Sequence, residues 1–314
     1  MNTEDETKLN YYSFNNSRNY LFKYCRKLEQ VRFCCLFENL NHDSVLEAIS
    51  KYQNNDGGFG HGLEPDLRTK HSSSLCTSVA LQILHETNTS KKHKIINTIL
   101  GYLTKTFDQN TRSWRIIPEI AQSEPHAPWW SQTDNIEKYS VFNLNPTSEI
   151  VLYFVNYDKN DNKKFTKTNL ENIKKEILNN KEIGMHDYLC LMRLYKSYIF
   201  EDHFKNTLKE YIFEKLFEFA ELNPENWGNY SLHPVQIADS PKSDFYPILK
   251  KYIPLNLKHI IDSQNHDGSW TPSWTWGEYY ENSWKIALEE WKGVLIYENL
   301  KILKNYDMID LKSE

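Results

Sequence analysis

The sequence predicts an all-α protein built from repeated helical hairpins. Three observations lead to this prediction: apolar residues recur at intervals of three and four, strand-like alternation is nearly absent, and one turn sequence occurs twice. The turn reads Gln-Asn-x-Asp-Gly-x-aromatic at residues 53–59 and again at residues 264–270. Because each copy follows an apolar, helix-like segment, the pair indicates a repeated helix-plus-turn unit.

The helices are expected to alternate between an inner and an outer layer. Segments that are apolar on more than one face should lie among other helices, and they begin near Leu75, Ile150, Leu189 and Val294. Amphipathic segments rich in Lys and Glu suit an outer layer, and they cover residues 91–107, 168–180 and 202–221. The second inner helix candidate has a clear start signal, with Asn145 as the N-cap and Pro146 at the first helical position.

Two weaker copies of the turn are expected at Trp114 and Trp227. With Phe59 and Trp270 they give four aromatic positions, separated by 55, 113 and 43 residues. Since 113 is about twice 55, a further degenerate unit near residues 160–185 would fill the long gap.

Composition and charge exclude several classes of protein. The chain has 314 residues and a net charge of −5, so no basic surface suggests nucleic acid as a partner. It lacks a basic-then-apolar signal sequence, and no apolar run approaches the ~20 residues of a transmembrane segment. The five cysteines show no metal-ligand spacing, which predicts a cytoplasmic protein with reduced thiols, no metal site and no cofactor.

The repeated turn resembles that of the prenyltransferase and squalene cyclase repeat superfamily, whose members include terpene cyclases. The residues that carry the resemblance are Gln53, Gly57, Phe59, Gln264, Gly268 and Trp270. It implies an α/α toroid (α/α barrel), here a single domain over residues 1–314 with the first ~40 residues as an extra helical segment. It also implies that each Gln ties helix ends together and that each aromatic ring packs against the next unit.

The catalytic motifs of that superfamily do not occur in this sequence. Its protonating cyclases use Asp-x-Asp-Asp and its ionising synthases use Asp-Asp-x-x-Asp, and neither motif is present. The Asp, Cys and His set of the zinc-dependent protein prenyltransferases cannot be placed either. Candidate site residues therefore have to come from the chemistry of individual segments.

The segment HGLEPDLRTKH is the first candidate. Glu64 and Asp66 flank a proline that keeps them out of a helix, so they could serve as general acid and base, with His61 beside them. Arg68 is a candidate substrate-binding residue. The next helix should begin at residues 72–74, which places the loop at a cavity mouth in a toroid. The alternative is a surface loop in which Arg68 pairs with a carboxylate and contributes little.

Two aromatic segments are the next candidates, EPHAPWWSQ and SWTPSWTWGEYYENSW. Large rings in polar loops either cap the core or line a site, where they can stabilise cations or stack on sugar rings. The predicted substrate-binding residues in the two segments are His126, Trp129, Trp130, Trp274, Trp276 and Glu278.

Glu149 lies in the first turn of an inner helix candidate. It could complement the helix N-terminus, or it could face the cavity as a substrate-binding acid. We expect these charged and aromatic residues to converge at one rim of the toroid.

Three functions remain open from the sequence. The first is an isoprenoid cyclase or prenyltransferase-like enzyme that uses a carboxylic acid in an aromatic-lined cavity. The second is a carbohydrate-active hydrolase or lyase with paired carboxylates and Trp platforms. The third is a non-catalytic repeat binding protein. The expected partner is a small molecule, either an isoprenoid or a glycan.

Overall fold

The all-α class is confirmed by a computed structural model, in which 60% of the residues are helical and 4% are in strands. The structure describes residues 8–133, 139, 141–158, 163–179 and 182–312. Within these residues no helix is both long enough and apolar enough to cross a membrane. The α-helices in chain order are α1 (Tyr11–Tyr24), α2 (Lys27–Phe37), α3 (Asp43–Ser50), α4 (Ser74–Glu86), α5 (Lys94–Thr106), α6 (Leu144–Tyr157), α7 (Lys163–Asn179), α8 (Met185–Ser197), α9 (His203–Phe219), α10 (Pro234–Ile237), α11 (Tyr246–Leu249), α12 (Ile253–Asp262) and α13 (Glu281–Asn305).

Two short strands and three 3₁₀ turns complete the described structure. Strand β1 (Phe107–Asp108) pairs with the antiparallel strand β2 (Ser113–Trp114), and Phe107 lies opposite Trp114. The 3₁₀ turns are Glu119–Ser123, Pro128–Trp130 and Pro224–Asn226.

The chain forms two compact units. Unit 1 contains the residues up to Ala48 and those from Phe217 onward, and unit 2 contains residues 49–216. In unit 1, α13 packs against both α1 and α2. In unit 2, α6 packs against α4, α7 and α8. The closed toroid and the single domain stay predictions.

Burial along the helices follows the predicted inner and outer character in unit 2. Helix α6 is buried along nearly its whole length, whereas α7 buries only Asn169, Ile173 and Ile177 on one side. Helix α13 of unit 1 buries a stripe that includes Gly293, Ile296 and Leu300, and Val294 is half-buried.

The predicted start signal of α6 agrees with the backbone of Asn145 but not with its side chain. Helix α6 is bounded as Leu144–Tyr157, and within it Asn145 has the extended, non-helical backbone of an N-cap residue and is joined to Pro146 by a cis bond. The Asn145 side chain does not cap the first turn, because its Oδ1 lies 3.5 Å from the thiol of Cys190.

The two copies of the repeated turn have the same geometry. In each copy the Asn N–H donates to a carbonyl four residues later, Asn54 to Gly58 and Asn265 to Ser269, both at 2.9 Å. The Gln side chain of each copy donates to a hydroxyl on a neighbouring helix. Gln53 Nε2 lies 2.9 Å from Thr98 Oγ1 of α5, and Gln264 Nε2 lies 2.7 Å from Ser17 Oγ of α1. In each unit the Gln side chain therefore connects its turn to a neighbouring helix.

The glycines of the two turns are required by close backbone approach. Gly57 and Gly268 have φ values of +94° and +87°, in the left-handed region. A Cβ atom on Gly57 would lie 2.3 Å from the carbonyl oxygen of Thr98, and one on Gly268 would lie 2.2 Å from the backbone of Asn16 and Ser17. Each turn is thus pressed against the helix that its Gln side chain contacts.

In the weaker copies of the turn, as in the copy at residues 264–270, the aromatic residue is a Trp whose indole N–H donates to a backbone carbonyl. The indole N–H of Trp270 donates to Ile260 O at 2.8 Å, that of Trp114 to Leu103 O at 2.7 Å, and that of Trp227 to Glu221 O at 2.8 Å. All three rings are buried and bind a carbonyl that precedes them by 6 to 11 residues. The copy expected near residues 160–185 lies partly outside the described residues.

Candidate functional site

The acidic loop leads directly into α4. Ser73 caps this helix, since its Oγ accepts from Cys76 N at 3.0 Å, which confirms the start expected at residues 72–74. Both candidate carboxylates of the loop are buried, with Glu64 9% exposed and Asp66 3% exposed. The two carboxylates are therefore largely out of water, and the alternative in which Arg68 pairs with one of them stays a prediction.

His61 belongs to the repeated turn as much as to the acidic loop. It is exposed, has a φ of 55°, and places its Nε2 2.9 Å from Asn54 Oδ1. Asn54 also donates to Lys70 O and to Ser72 Oγ across the base of the loop. His61 therefore helps to hold the two ends of the loop together.

Arg68 packs on a glycine of the same loop. Gly62 has a φ of +72°, and a Cβ atom there would lie 2.8 Å from Nη1 of Arg68. The guanidinium group therefore occupies the space that any other side chain at position 62 would take. Arg68 is half-buried.

The segment that contains His126 lies beside the acidic loop. Arg68 N donates to Pro125 O at 3.0 Å, and Ala127 N donates to Asp66 O at 2.8 Å. This antiparallel bridge sets Leu67 opposite His126. Because side chains alternate along extended backbone, His126 shares the face of Leu67, and Asp66 and Arg68 take the other face. The two segments converge as predicted, but the imidazole and the Asp66 carboxylate lie on different sides.

The protonation pattern of His126 follows from its hydrogen bond. Its Nδ1 lies 2.6 Å from the carbonyl oxygen of Glu124, and a carbonyl can only accept, so Nδ1 carries the proton. In the neutral ring Nε2 is then left with a lone pair. His126 is almost completely buried, so its Nε2 atom lies in the interior of unit 2.

The two tryptophans after His126 differ in exposure. Trp129 is 40% exposed, whereas Trp130 is half-buried, and its indole N–H has no acceptor among the described residues. Gln132 anchors this end of the segment, because its side chain donates to Pro118 O at 3.0 Å and its backbone N–H is accepted by Gln122 Oε1.

Glu149 forms a charged cluster in the core of unit 2, separate in sequence from the acidic loop. Its Oε1 accepts from the hydroxyl of Tyr153 at 2.9 Å, and its Oε2 accepts from Nη1 of Arg193 at 3.0 Å. Tyr153 lies one turn later on α6 and Arg193 lies on α8. Glu149 thus joins the two helices rather than only complementing the N-terminus of its own.

The cluster changes the proton affinities of its members. Burial raises the pKa of Tyr153 and of the Cys190 thiol well above their usual values, and the charge of Glu149 raises both further. Burial lowers the pKa of Arg193, but Glu149 outweighs this effect and the pKa lies above its ordinary value. The tyrosine and the thiol are therefore neutral, and Arg193 remains a cation.

A histidine extends this cluster to α4. The ring of His85 lies 5.9 Å from that of Tyr153 and 6.2 Å from that of Tyr157. Burial lowers the pKa of His85, so its ring is neutral at pH 7. One connected group of polar and aromatic side chains therefore runs from α4 through α6 to α8.

The aromatic segment after the second repeated turn lies in unit 1. Trp274 is half-buried and packs edge-on against Trp291, with ring centroids 5.0 Å apart, and against Tyr230 at 5.3 Å. Trp276 is only 2% exposed and lies 5.7 Å from Trp284. Glu278 follows on the surface and is exposed.

The predicted convergence of all these residues is met in part. Unit 2 brings the acidic loop and the His126 segment together, and it also contains Trp129, Trp130 and Glu149. Trp274, Trp276 and Glu278 belong to unit 1. Their shared rim with the residues of unit 2, and a substrate-binding role for each of them, stay predictions.

A groove elsewhere in unit 2 is not lined by any predicted site residue. It has a volume of about 410 Å³ and is lined by side chains of α6, α7, the segment between α8 and α9, and the start of α9. The aromatic members of its lining are Phe154, Tyr198, Phe200 and Phe204. Its charged members come from α7 and from Asp158 and Asp202.

The sequence predictions did not include Arg193. It lies in the segment LCLMRLYKS, where it interrupts the apolar run that begins at Leu189. Such a charge needs a carboxylate partner when it is packed in the interior, and that requirement is the signal that could have identified it. In the described residues no group of three or more His, Cys, Asp or Glu is arranged to hold a metal ion.

Comparisons with protein-family models, with curated proteins and with solved structures find no match to this chain. The resemblance of the two turns to the prenyltransferase and squalene cyclase repeats therefore rests on the turn residues themselves.

Proposed function

We propose that the chain is an isoprenoid cyclase or prenyltransferase-like enzyme that uses carboxylic acid chemistry. The observation that carries the proposal is the burial of two loop carboxylates, Glu64 and Asp66, beside a segment that holds a buried imidazole. Burying a carboxylate is unfavourable unless it is paired, hydrogen-bonded or protonated, and a protonated carboxyl group is what a general acid requires.

In this proposal Glu64 is the general acid. Its carboxyl proton is transferred to a carbon of a substrate double bond, and the electron pair of that bond forms the new C–H bond. The carbocation that results is stabilised by aromatic faces, for which the tryptophans of the two aromatic segments are the candidates. A ring closes when a second double bond attacks the cation. The loss of a proton to a base then ends the reaction.

His126 and Asp66 have supporting roles in the proposal. The Nε2 lone pair of His126 makes the ring a candidate for the terminal base. Asp66 accepts from Ala127 through its backbone, so it connects the acidic loop to the His126 segment. Arg68 and His61 hold the loop in shape.

A carbohydrate-active enzyme is the second candidate, and the exposed ring of Trp129 favours it. An indole that is 40% exposed beside polar loop residues suits stacking on a sugar ring. In that case Glu64 and Asp66 would act as the paired acid and base on a glycosidic bond.

Turnover with the purified chain distinguishes these candidates. We would incubate it with squalene and with geranylgeraniol, and separately with a panel of oligosaccharides, and analyse the products by mass spectrometry and reducing-end release. Glu64→Gln should lower the turnover of the accepted substrate by at least about 100-fold, the scale of general acid catalysis.

The matched control is Glu119→Gln, which changes a carboxylate that is 85% exposed in the same unit. It should leave turnover unchanged. Turnover that survives Glu64→Gln would contradict the role of Glu64. The absence of product from every substrate would instead favour the non-catalytic binding protein.

A further inference from the structure

The guanidinium group of Arg193 presents donors that the described part of the protein does not use. Its hydrogen bonds there leave from Nη1, to Glu149 at 3.0 Å and to the Cys190 thiol at 4.0 Å. A guanidinium group has five N–H donors arranged in a planar fork. The edge formed by Nη2 and Nε therefore has no acceptor among the described residues.

This edge is accessible although the residue is closely surrounded. Burial is the largest influence on the pKa of Arg193, yet 40% of its side-chain surface is open to solvent. A side chain that projects from a surface would not have a pKa dominated by burial. A core side chain would not have 40% of its surface open to solvent. Both fit a side chain that lines a recess, and the exposed fraction is the better measure of access.

His186 lies on the same face of α8 as Arg193 and contributes to the recess. It precedes Arg193 by seven residues, which is two helical turns, so the two side chains share a face. Its side chain is exposed, but its pKa is lowered by burial and then by the charge of Arg193. The imidazole is therefore neutral and adds a polar wall without adding charge.

Glu149 fixes the orientation of this fork. The carboxylate is itself 1% exposed and is held by Tyr153, so Nη1 has a rigid partner on the inner side. The outer edge is consequently pre-oriented, which reduces the entropy that binding would otherwise lose. A planar fork of this kind matches the two oxygens of a carboxylate.

We propose that Arg193 binds the carboxylate of a small-molecule ligand through its Nη2–Nε edge. A carboxylate suits this edge better than a dianion such as a phosphate, because Arg193 is the one cation that the contacts of the described residues place here and Glu149 already offsets its charge. This inference rests on the proposed function only in taking the ligand to be the substrate. The binding itself does not require turnover.

Paired probes that differ only in the carboxylate test the proposal. Binding of farnesoic acid would be compared with that of farnesol, and glucuronic acid with glucose, by titration calorimetry on the full chain. One acid should bind about tenfold more tightly than its neutral partner, because a charge-assisted pair of hydrogen bonds is gained. The pair that shows the difference also identifies the ligand as isoprenoid-like or sugar-like.

Three variants locate the effect. Arg193→Met should remove the preference for the acid, whereas Arg112→Met, which removes an exposed arginine of the same unit, should retain it. Because Arg193→Met leaves Glu149 buried without its cation, the double variant Glu149→Gln with Arg193→Gln keeps a neutral hydrogen-bonded pair and serves as the second test. It too should lose the preference.

The proposal is overturned if wild-type protein binds each acid and its neutral partner equally. It is also overturned if the preference survives in the folded double variant. Glu64→Gln should leave the preference intact while it lowers turnover, so failure of the acid chemistry and failure of the carboxylate site give different results.

Discussion

The substitution Gly268→Ala should destabilise the protein more than any surface change of one methyl group. The new Cβ atom would lie 2.2 Å from the backbone carbon of Asn16 and the backbone nitrogen of Ser17. Both atoms belong to helix α1, so no side-chain rotation can remove the overlap. Helix α1 and the turn would have to separate by about 1 Å to reach ordinary contact.

The size of the effect follows from the contacts that such a separation breaks. Ser17 Oγ donates to Gly268 O at 2.6 Å, and Gln264 Nε2 donates to Ser17 Oγ at 2.7 Å and to Ser13 O at 3.2 Å. Three hydrogen bonds at about 1 kcal/mol each, together with about 1–2 kcal/mol for a left-handed alanine, give about 4–5 kcal/mol. This is a large part of a typical folding free energy of about 5–15 kcal/mol.

Thermal and urea unfolding, followed by circular dichroism, measure this loss. The expected decrease in Tm is on the order of 10 °C. Two other glycines of unit 1 are matched controls, since a Cβ atom on either meets nothing within 4 Å. Gly228→Ala should change stability by no more than about 0.5 kcal/mol. Gly277→Ala, with a φ of +61°, should lose only the left-handed penalty of about 1–2 kcal/mol.

The three alanine variants separate backbone strain from steric overlap. If Gly268→Ala loses no more stability than Gly277→Ala, then the contact between the turn and α1 does not contribute as described. The role of the repeated turn as a clasp would then be refuted in unit 1.

Further predictions concern the other unit, pH and metal. Gly57→Ala should cause a loss in urea unfolding similar to that of Gly268→Ala, because its Cβ would lie 2.3 Å from Thr98 O, whereas Gly101→Ala within α5 should raise stability by about 0.5–1 kcal/mol. Burial and the neighbouring His259 lower the pKa of His233 to about 4. Its native pKa lies below the unfolded value of 6.5, so its contribution is present above pH 6.5 and is lost as pH falls through 4. Urea midpoints should therefore fall less steeply with acidification in His233→Gln, and an unchanged slope would contradict this. Elemental analysis of purified protein should find no stoichiometric zinc, because the sequence has no Cys/His ligand spacing, and about one zinc per chain would refute it.

The repeated turns could be predicted because their determinants are local. Gln, Gly and the aromatic residue lie within seven positions, and each has a specific backbone or side-chain requirement. The left-handed φ at Gly268 and the buried indole of Trp270 follow from residue type and position alone. The weaker copies at Trp114 and Trp227 could be placed for the same reason, since a buried indole needs an acceptor for its N–H.

The neighbours of the turns could not be predicted in the same way. Gln264 binds Ser17, which is 247 residues away, and nothing in either segment specifies the other. The face of α13 that is buried could not be predicted either. The segment is apolar on several sides, but the buried stripe depends on where α1 and α2 contact it.

The candidate site shows the same division between local and distant determinants. Proline between Glu64 and Asp66 indicated an irregular acidic segment, and the structure has one. The bridge from Leu67 to His126 joins two segments by backbone hydrogen bonds, which any residue except proline can donate. Side-chain type therefore carried no information about that pairing, nor about which face His126 would take.

Glu149 and Arg193 show what a charge inside an apolar helix implies. Each of them interrupts an apolar run, and either one packed alone in the interior would be strongly unfavourable. Two such interruptions on helices that pack together are therefore expected to pair, as they do at 3.0 Å. Each oxygen of the carboxylate then has a donor, because Tyr153 donates to Oε1 and Arg193 donates to Oε2. It does not satisfy the guanidinium group, which has more donors than one carboxylate oxygen can accept. Since replacing an interior ion pair by apolar residues often leaves a protein equally stable, the arginine is consistent with the carboxylate-binding role that we propose for its Nη2–Nε edge, which has no acceptor among the described residues.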